Sequence, residues 1–130
     1  RRCSKKTATS NDREGRIMNT ATTLLADLHA LRDLLAQGWC QGTYARDTFG
    51  NAVDCRSSRA CAWCLLGGIE ITIPFERFPQ TEHAIRTEIN GCIPLWQDKP
   101  KRTQAEVLAM LDRAIATTQA GSSPQEVHAT

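Results

Sequence analysis

The residues of this chain best equipped for chemistry are its six cysteines, four of which (Cys40, Cys55, Cys61 and Cys64) fall close together. Cys61-Ala62-Trp63-Cys64 forms a C-x-x-C motif. At the start of a helix, the first cysteine of such a pair can have a depressed pKa and act as a redox thiol. That reading needs a βαβ setting, and no strand is legible ahead of the motif. A zinc reading takes Cys55, Cys61 and Cys64 as ligands, with Cys40 from the neighbouring loop completing four thiolates. It lacks the second C-x-x-C that would make the spacing specific. In a reducing compartment, free cysteine behaves as a small buried hydrophobe, and that reading is preferred over metal and over redox chemistry. It is the expectation for Cys40, Cys64 and Cys92, which sit in apolar or aromatic stretches.

The remaining polar candidates fall into two groups. His29, His83 and His128 lie far apart, with no nucleophile or second acid spaced to join any of them in general-base chemistry. His29 and Asp33 are four residues apart, a spacing for a pair on a solvated helix face. Arg46, Asp47 and Asp98 stand beside tryptophans in loops, where an Arg–Asp pair would tie two loops together by charge-assisted hydrogen bonds. Asp98 would alternatively bond free N–H groups of the loop that leads to Thr103. The loop tie is preferred over a polar pocket formed by the same residues. No phosphate-cradling G-x-x-x-x-G-K loop is present.

Four elements must position these residues. Leu24, Leu25, Leu28, Leu31 and Leu35 form one stripe of a helix from about Thr20 to Gln37, with Asp27, Arg32 and Asp33 off it and Gly38 as the stop. A long loop follows to about Ser57, with Trp39, Tyr44, Phe49 and Val53 as the apolar groups to pin it. A second helix starts near Ser57 or Ser58 and gives way to an extended stretch at Ile69-Glu70-Ile71-Thr72-Ile73. Its small residues, Gly67 and Gly68, allow another helix to approach closely beside Trp63. A third helix spans Thr81 to Asn90, capped by Thr81, facing inward with Ala84, Ile85 and Ile89, and ended by Gly91. The stretch from Pro94 to Pro100 reads as non-helical. Thr103-Gln104-Ala105-Glu106 is a capping box opening a fourth helix, striped by Val107, Leu108, Leu111, Ala114 and Ile115 and ended by Gly121. The expected fold is therefore all-α, a compact bundle of about four helices with a long pinned loop between the first two.

Charge divides the chain. Its 130 residues carry a formal +2, but residues 1–17 hold +4 (Arg1, Arg2, Lys5, Lys6, Arg13 and Arg16 against Asp12 and Glu14). The rest is mildly acidic, which argues against a nucleic-acid-binding face on the domain and leaves only the basic extension for such contact. Residues 1–17 have almost no apolar side chain and read as a disordered extension; Met18 would make a natural start. Residues 18–121 form one helical domain, and 122–130 a frayed polar tail. The sequence shows neither a secretory signal nor an apolar run of membrane-spanning length, so the expected compartment is the cytoplasm.

All three tryptophans lie in distinctive words. Gly38-Trp39-x-Gln41-Gly42-x-Tyr44-Ala45-Arg46-Asp47, Trp63-Cys64-Leu65-Leu66-Gly67, Trp96-x-Asp98 and Arg102-Thr103-x-x-Glu106-Val107-x-x-x-Leu111-Asp112-Arg113-Ala114 resemble a family of small uncharacterised bacterial and phage proteins. The resemblance spans about Leu24 to Ala116 and implies a fold and a source, with no activity attached. Cys64 belongs to that pattern, whereas Cys55 and Cys61 are particular to this chain, which weakens a shared metal or redox mechanism. The expected function is a binding or interaction module for another protein, through Trp39, Gln41, Tyr44, Arg46, Asp47, Trp96 and Asp98. A zinc-stabilised domain using Cys55, Cys61 and Cys64 is the second reading. An enzyme with a loop pocket at Arg46, Asp47 and Asp98 is the third.

Overall fold

A computed structural model describes residues 20–121; the basic extension and the polar tail lie outside that range. The described chain is mostly helical, with five helices and a small two-stranded sheet rather than helices alone. In order these are α1 (Thr20–Gln37), β1 (Ala45–Arg46), β2 (Ala62–Trp63), α2 (Leu65–Thr72), α3 (Phe78–Ile89), α4 (Ile93–Gln97) and α5 (Gln104–Gly121), with a 3₁₀ turn at Phe75–Arg77 before α3.

The long helices follow the leucine and valine stripes. Leu28, Leu31 and Leu35 of α1 are fully buried, as are Val107, Met110 and Leu111 of α5, and the two helices pack along one another. Arg32 of α1 grips Asp112 of α5 with two hydrogen bonds, Nε–Oδ1 at 2.6 Å and Nη2–Oδ2 at 3.2 Å. The capping box forms as expected. Glu106 N–H donates to Thr103 Oγ1 at 3.1 Å, and Thr103 N–H donates back to Glu106 Oε1 at 2.9 Å. Asp27, placed off the stripe by its charge, is instead buried. It is held there by Arg77 through two hydrogen bonds of 2.8 and 3.0 Å.

Several boundaries differ from the sequence reading. The second helix begins at Leu65, not near Ser57, because Ala62-Trp63 pairs with Ala45-Arg46 first. Strands of two residues are too short to show alternation, so the sequence gives them no signature. The alternating Ile69-to-Ile73 stretch is helical to Thr72, and only Ile73 is extended. α3 starts at Phe78 with Pro79 in its first turn, which leaves Thr81 inside the helix and fully buried rather than capping it. Asn90, not Gly91, takes the left-handed position that ends α3, at φ 55°. The proline-bounded stretch contains α4, because Pro94 sits in the first turn, where no backbone N–H is needed.

Two glycines hold the second word against its neighbours. A Cβ on Gly67 would lie 2.2 Å from the carbonyl oxygen of Tyr44, and one on Gly68 would lie 2.8 Å from Leu31 Cδ1 of α1. The close helix approach expected of these small residues is present at Gly68, against α1, whereas Gly67 meets the Tyr44 backbone just ahead of β1.

Candidate binding site

The loop cluster gathers around a residue that the sequence reading passed over. Gln97, at the end of α4, is 2 % exposed, and both ends of its side-chain amide are fully engaged. Its Oε1 accepts from Trp39 Nε1 at 2.7 Å and from Leu65 N–H at 3.0 Å. Its Nε2 donates to the Cys40 carbonyl at 3.0 Å and to Asp98 Oδ1 at 2.8 Å. One amide therefore joins the loop after α1, the first turn of α2 and the end of α4. Its only signal in the sequence was its place between Trp96 and Asp98. A buried amide needs every donor and acceptor met.

The expected site residues extend this knot. Gln41 Nε2 donates to the carbonyls of Gln97 and Lys99, both at 2.9 Å. Asp98 Oδ1 accepts from the N–H of Gly42, which adopts φ 83°. Arg46 donates to the carbonyls of Gln41 (2.8 Å) and Gly50 (2.9 Å), so it braces its own loop. Asp47 accepts from the N–H groups of Phe49 and Asn51, both at 2.9 Å, and these bonds hold its carboxyl below the usual carboxylate range. The loops are tied together as expected, but by amide and backbone hydrogen bonds instead of an Arg–Asp pair. Trp96 stands at the rim. The Arg102 guanidinium lies 3.9 Å from its ring centroid and donates from Nε to its carbonyl at 3.0 Å.

The apolar side chains divide differently from the expectation. Trp39 and Val53 are partly buried against the core, whereas Tyr44 and Phe49 do not pin the loop: they are 58 % and 82 % exposed. The loop is pinned by its polar groups and backbone, and these two rings project outward. Arg46 and Asp98 both reach the Gln41–Gly42 turn, Arg46 Nη2 donating to the Gln41 carbonyl and Asp98 Oδ1 accepting from the Gly42 N–H, whereas the bonds of Asp47 run to Phe49 and Asn51.

Cys40, Cys55 and Cys64 are buried free thiols, as the apolar reading has it for Cys40 and Cys64, while Cys92, at the residue before α4, is exposed. Burial pushes the Cys40 thiol up to about 11 and raises Cys55 and Cys64 as well. Cys64 Sγ accepts from Gly67 N–H at 3.3 Å and so caps α2. Cys61 Sγ lies 3.3 Å from Thr48 Oγ1 and 3.5 Å from the Arg59 carbonyl. Among the described residues, no three His, Cys, Asp or Glu side chains converge in a group able to hold a metal ion. Nor is any helix among them long and apolar enough to cross a membrane.

These features define a small, mostly helical domain in which a buried glutamine at the end of α4 knots the tryptophan-bearing loop after α1 to the start of α2. The chain belongs to a family of unknown function, DUF6197, whose family model matches residues 19–117. That span includes every word on which the resemblance rests. No curated protein and no solved structure matches the chain.

Proposed function

We propose that the protein is a small cytoplasmic binding module, of bacterial or phage origin, that captures another protein through its knotted loop. One observation carries this reading. The polar groups of the loop are used up in holding its shape, while Tyr44 and Phe49 are left 58 % and 82 % exposed on it. Rigid aromatic side chains on a fixed loop are efficient contact groups, because little conformational freedom is lost on binding. In this reading Trp39, Gln41, Arg46, Asp47 and Asp98 shape the surface, and Tyr44, Phe49 and the rim of Trp96 touch the partner.

The test is in-cell crosslinking and affinity capture with the tagged full chain and its Phe49→Ser variant. The expected result is one stoichiometric protein partner recovered with the unaltered chain and lost with Phe49→Ser, at an unchanged melting temperature. Arg46→Ala should also lose the partner while the helical core stands. Equal recovery by all three proteins, or no stoichiometric partner for any, overturns the reading.

A further inference from the structure

Two of the buried thiols lie on adjacent, in-register segments that the proposed binding role does not use. Trp39 and Trp63 face one another as a parallel bridge: Trp63 N–H donates to the Gly38 carbonyl at 3.1 Å, and Cys40 N–H donates to the Trp63 carbonyl at 3.2 Å. The next residue along each segment is a cysteine, Cys40 on one and Cys64 on the other. Residues one step beyond a paired position point to the opposite face, so the two tryptophans share one face and the two cysteines the other. On the far side of Cys64, its N–H donates to the Tyr44 carbonyl at 3.1 Å, which fixes Cys64 as the middle of three neighbouring segments. Paired backbones lie about 4.8 Å apart, within the roughly 4.4–6.8 Å between Cα atoms that a disulfide spans.

We propose that Cys40 and Cys64 form a reversible disulfide that staples the exposed-aromatic loop to the start of α2. In the reduced state each sulfur is held locally, Cys40 Sγ donating to the Thr43 carbonyl at 3.7 Å and Cys64 Sγ accepting from Gly67 N–H at 3.3 Å. Rotation about each Cα–Cβ bond replaces these contacts, and that of the Arg46 guanidinium to Cys40, with the sulfur–sulfur bond. Both residues are almost covered, at 8 % and 7 % exposure, and burial raises both thiols, so exchange with small disulfides is slow. Exchange with oxidised glutathione proceeds in two displacements. One cysteine thiolate attacks the glutathione disulfide, forming a protein–glutathione disulfide and releasing one glutathione thiol. The second cysteine thiolate then attacks the protein sulfur of that mixed disulfide and releases the second glutathione. The protein dithiol loses two protons and two electrons, which end on the two glutathione molecules. The ring closed by the bond contains Tyr44 and Phe49, so oxidation restricts the same loop that displays them.

The proposal stands independently of whether that loop binds a protein, and its test reads the bond directly. The full chain carrying Cys61→Ser is incubated, folded, in glutathione buffers of graded oxidation, then alkylated and cut with trypsin. The substitution removes the other cysteine from the 60–77 fragment. The expected product is fragment 33–46 joined to fragment 60–77, with the parent protein lighter by two hydrogens and its melting temperature several degrees higher. Adding either Cys40→Ser or Cys64→Ser should abolish the joined fragment; serine at 64 keeps an oxygen at the α2 cap. Persistence of glutathione adducts without the joined fragment overturns the proposal. So does a joined fragment that appears only in denaturant.

Discussion

Gln97 shows how one side chain can set the shape of a site without touching a ligand. Replacing it with leucine would orphan the Leu65 N–H and the Cys40 carbonyl in the interior, and the partly buried Trp39 N–H at its edge. Each buried polar group left without a partner costs about 1–3 kcal/mol, so Gln97→Leu is expected to lose roughly 3 kcal/mol or more. Urea unfolding monitored by tryptophan fluorescence measures this; a loss under about 1 kcal/mol would show that the knot is incidental. Asp47 works on a smaller span, ordering the turn that presents Phe49. Arg102 does the same for Trp96 by lying over its ring.

At the scale of elements, the sheet of two short strands explains why the second helix begins where it does. Trp63 pairs with Ala45 on one side and bridges Trp39 on the other, so α2 cannot start until the chain has left that pairing. Gly67 then passes against the Tyr44 carbonyl, a contact with backbone that no side-chain rotation relieves. Gly67→Ala must push the strand pair away from α2, and overpacking of this kind costs about 1–3 kcal/mol. Thr103→Ala provides the comparison, since it removes an exposed helix cap with an expected loss of about 1 kcal/mol. Thermal unfolding should rank Gly67→Ala as the more damaging, and Gly67→Ala alone should also weaken the loop. An equal or reversed order would mean that the strand pair yields at little cost. The Arg32–Asp112 pair between α1 and α5 is solvent-facing, and its contribution is accordingly small.

For the whole molecule, the shifted groups set a stability plateau. Asp47 and Asp112 ionise more readily in the folded chain than a free aspartate, through backbone N–H bonds and through Arg32 respectively. Their stabilising contribution is complete above about pH 4 and is lost as pH falls through the folded values. Cys40 behaves in the opposite sense. Burial lifts it from 9.0 to about 11, so the unfolded chain ionises first as the medium turns alkaline. Its contribution is complete below pH 9 and is lost between 9 and 11; Cys55 and Cys64 act in the same direction. Unfolding free energy measured across pH 3–11 should therefore fall at both ends. Cys40→Ser should flatten part of the alkaline limb, and a limb left unchanged would place the alkaline loss elsewhere.

The two long helices, the capping box at Thr103 and the close helix approach at Gly68 were legible in the sequence, because each depends on periodicity or on residues only a few positions apart. So was the grouping of Trp39, Gln41 and Asp98 into one tied cluster, since the tryptophan-bearing words announce segments that must meet. The strand pair was not legible, because two residues carry no period. α4 was hidden by its prolines, which bar a helix interior but suit a first turn. Which of the loop's groups point inward was also beyond the sequence. Tyr44 and Phe49 have the composition of core residues, and Gln97 and Asp27 that of surface residues, yet their positions are reversed. The sequence by itself determined the helical scaffold and the family to which the chain belongs. The tertiary structure alone decided that the loop's charges brace backbone and that its aromatics face outward. The reason is that hydrogen-bond satisfaction is settled between segments more than fifty residues apart, where local pattern has no hold.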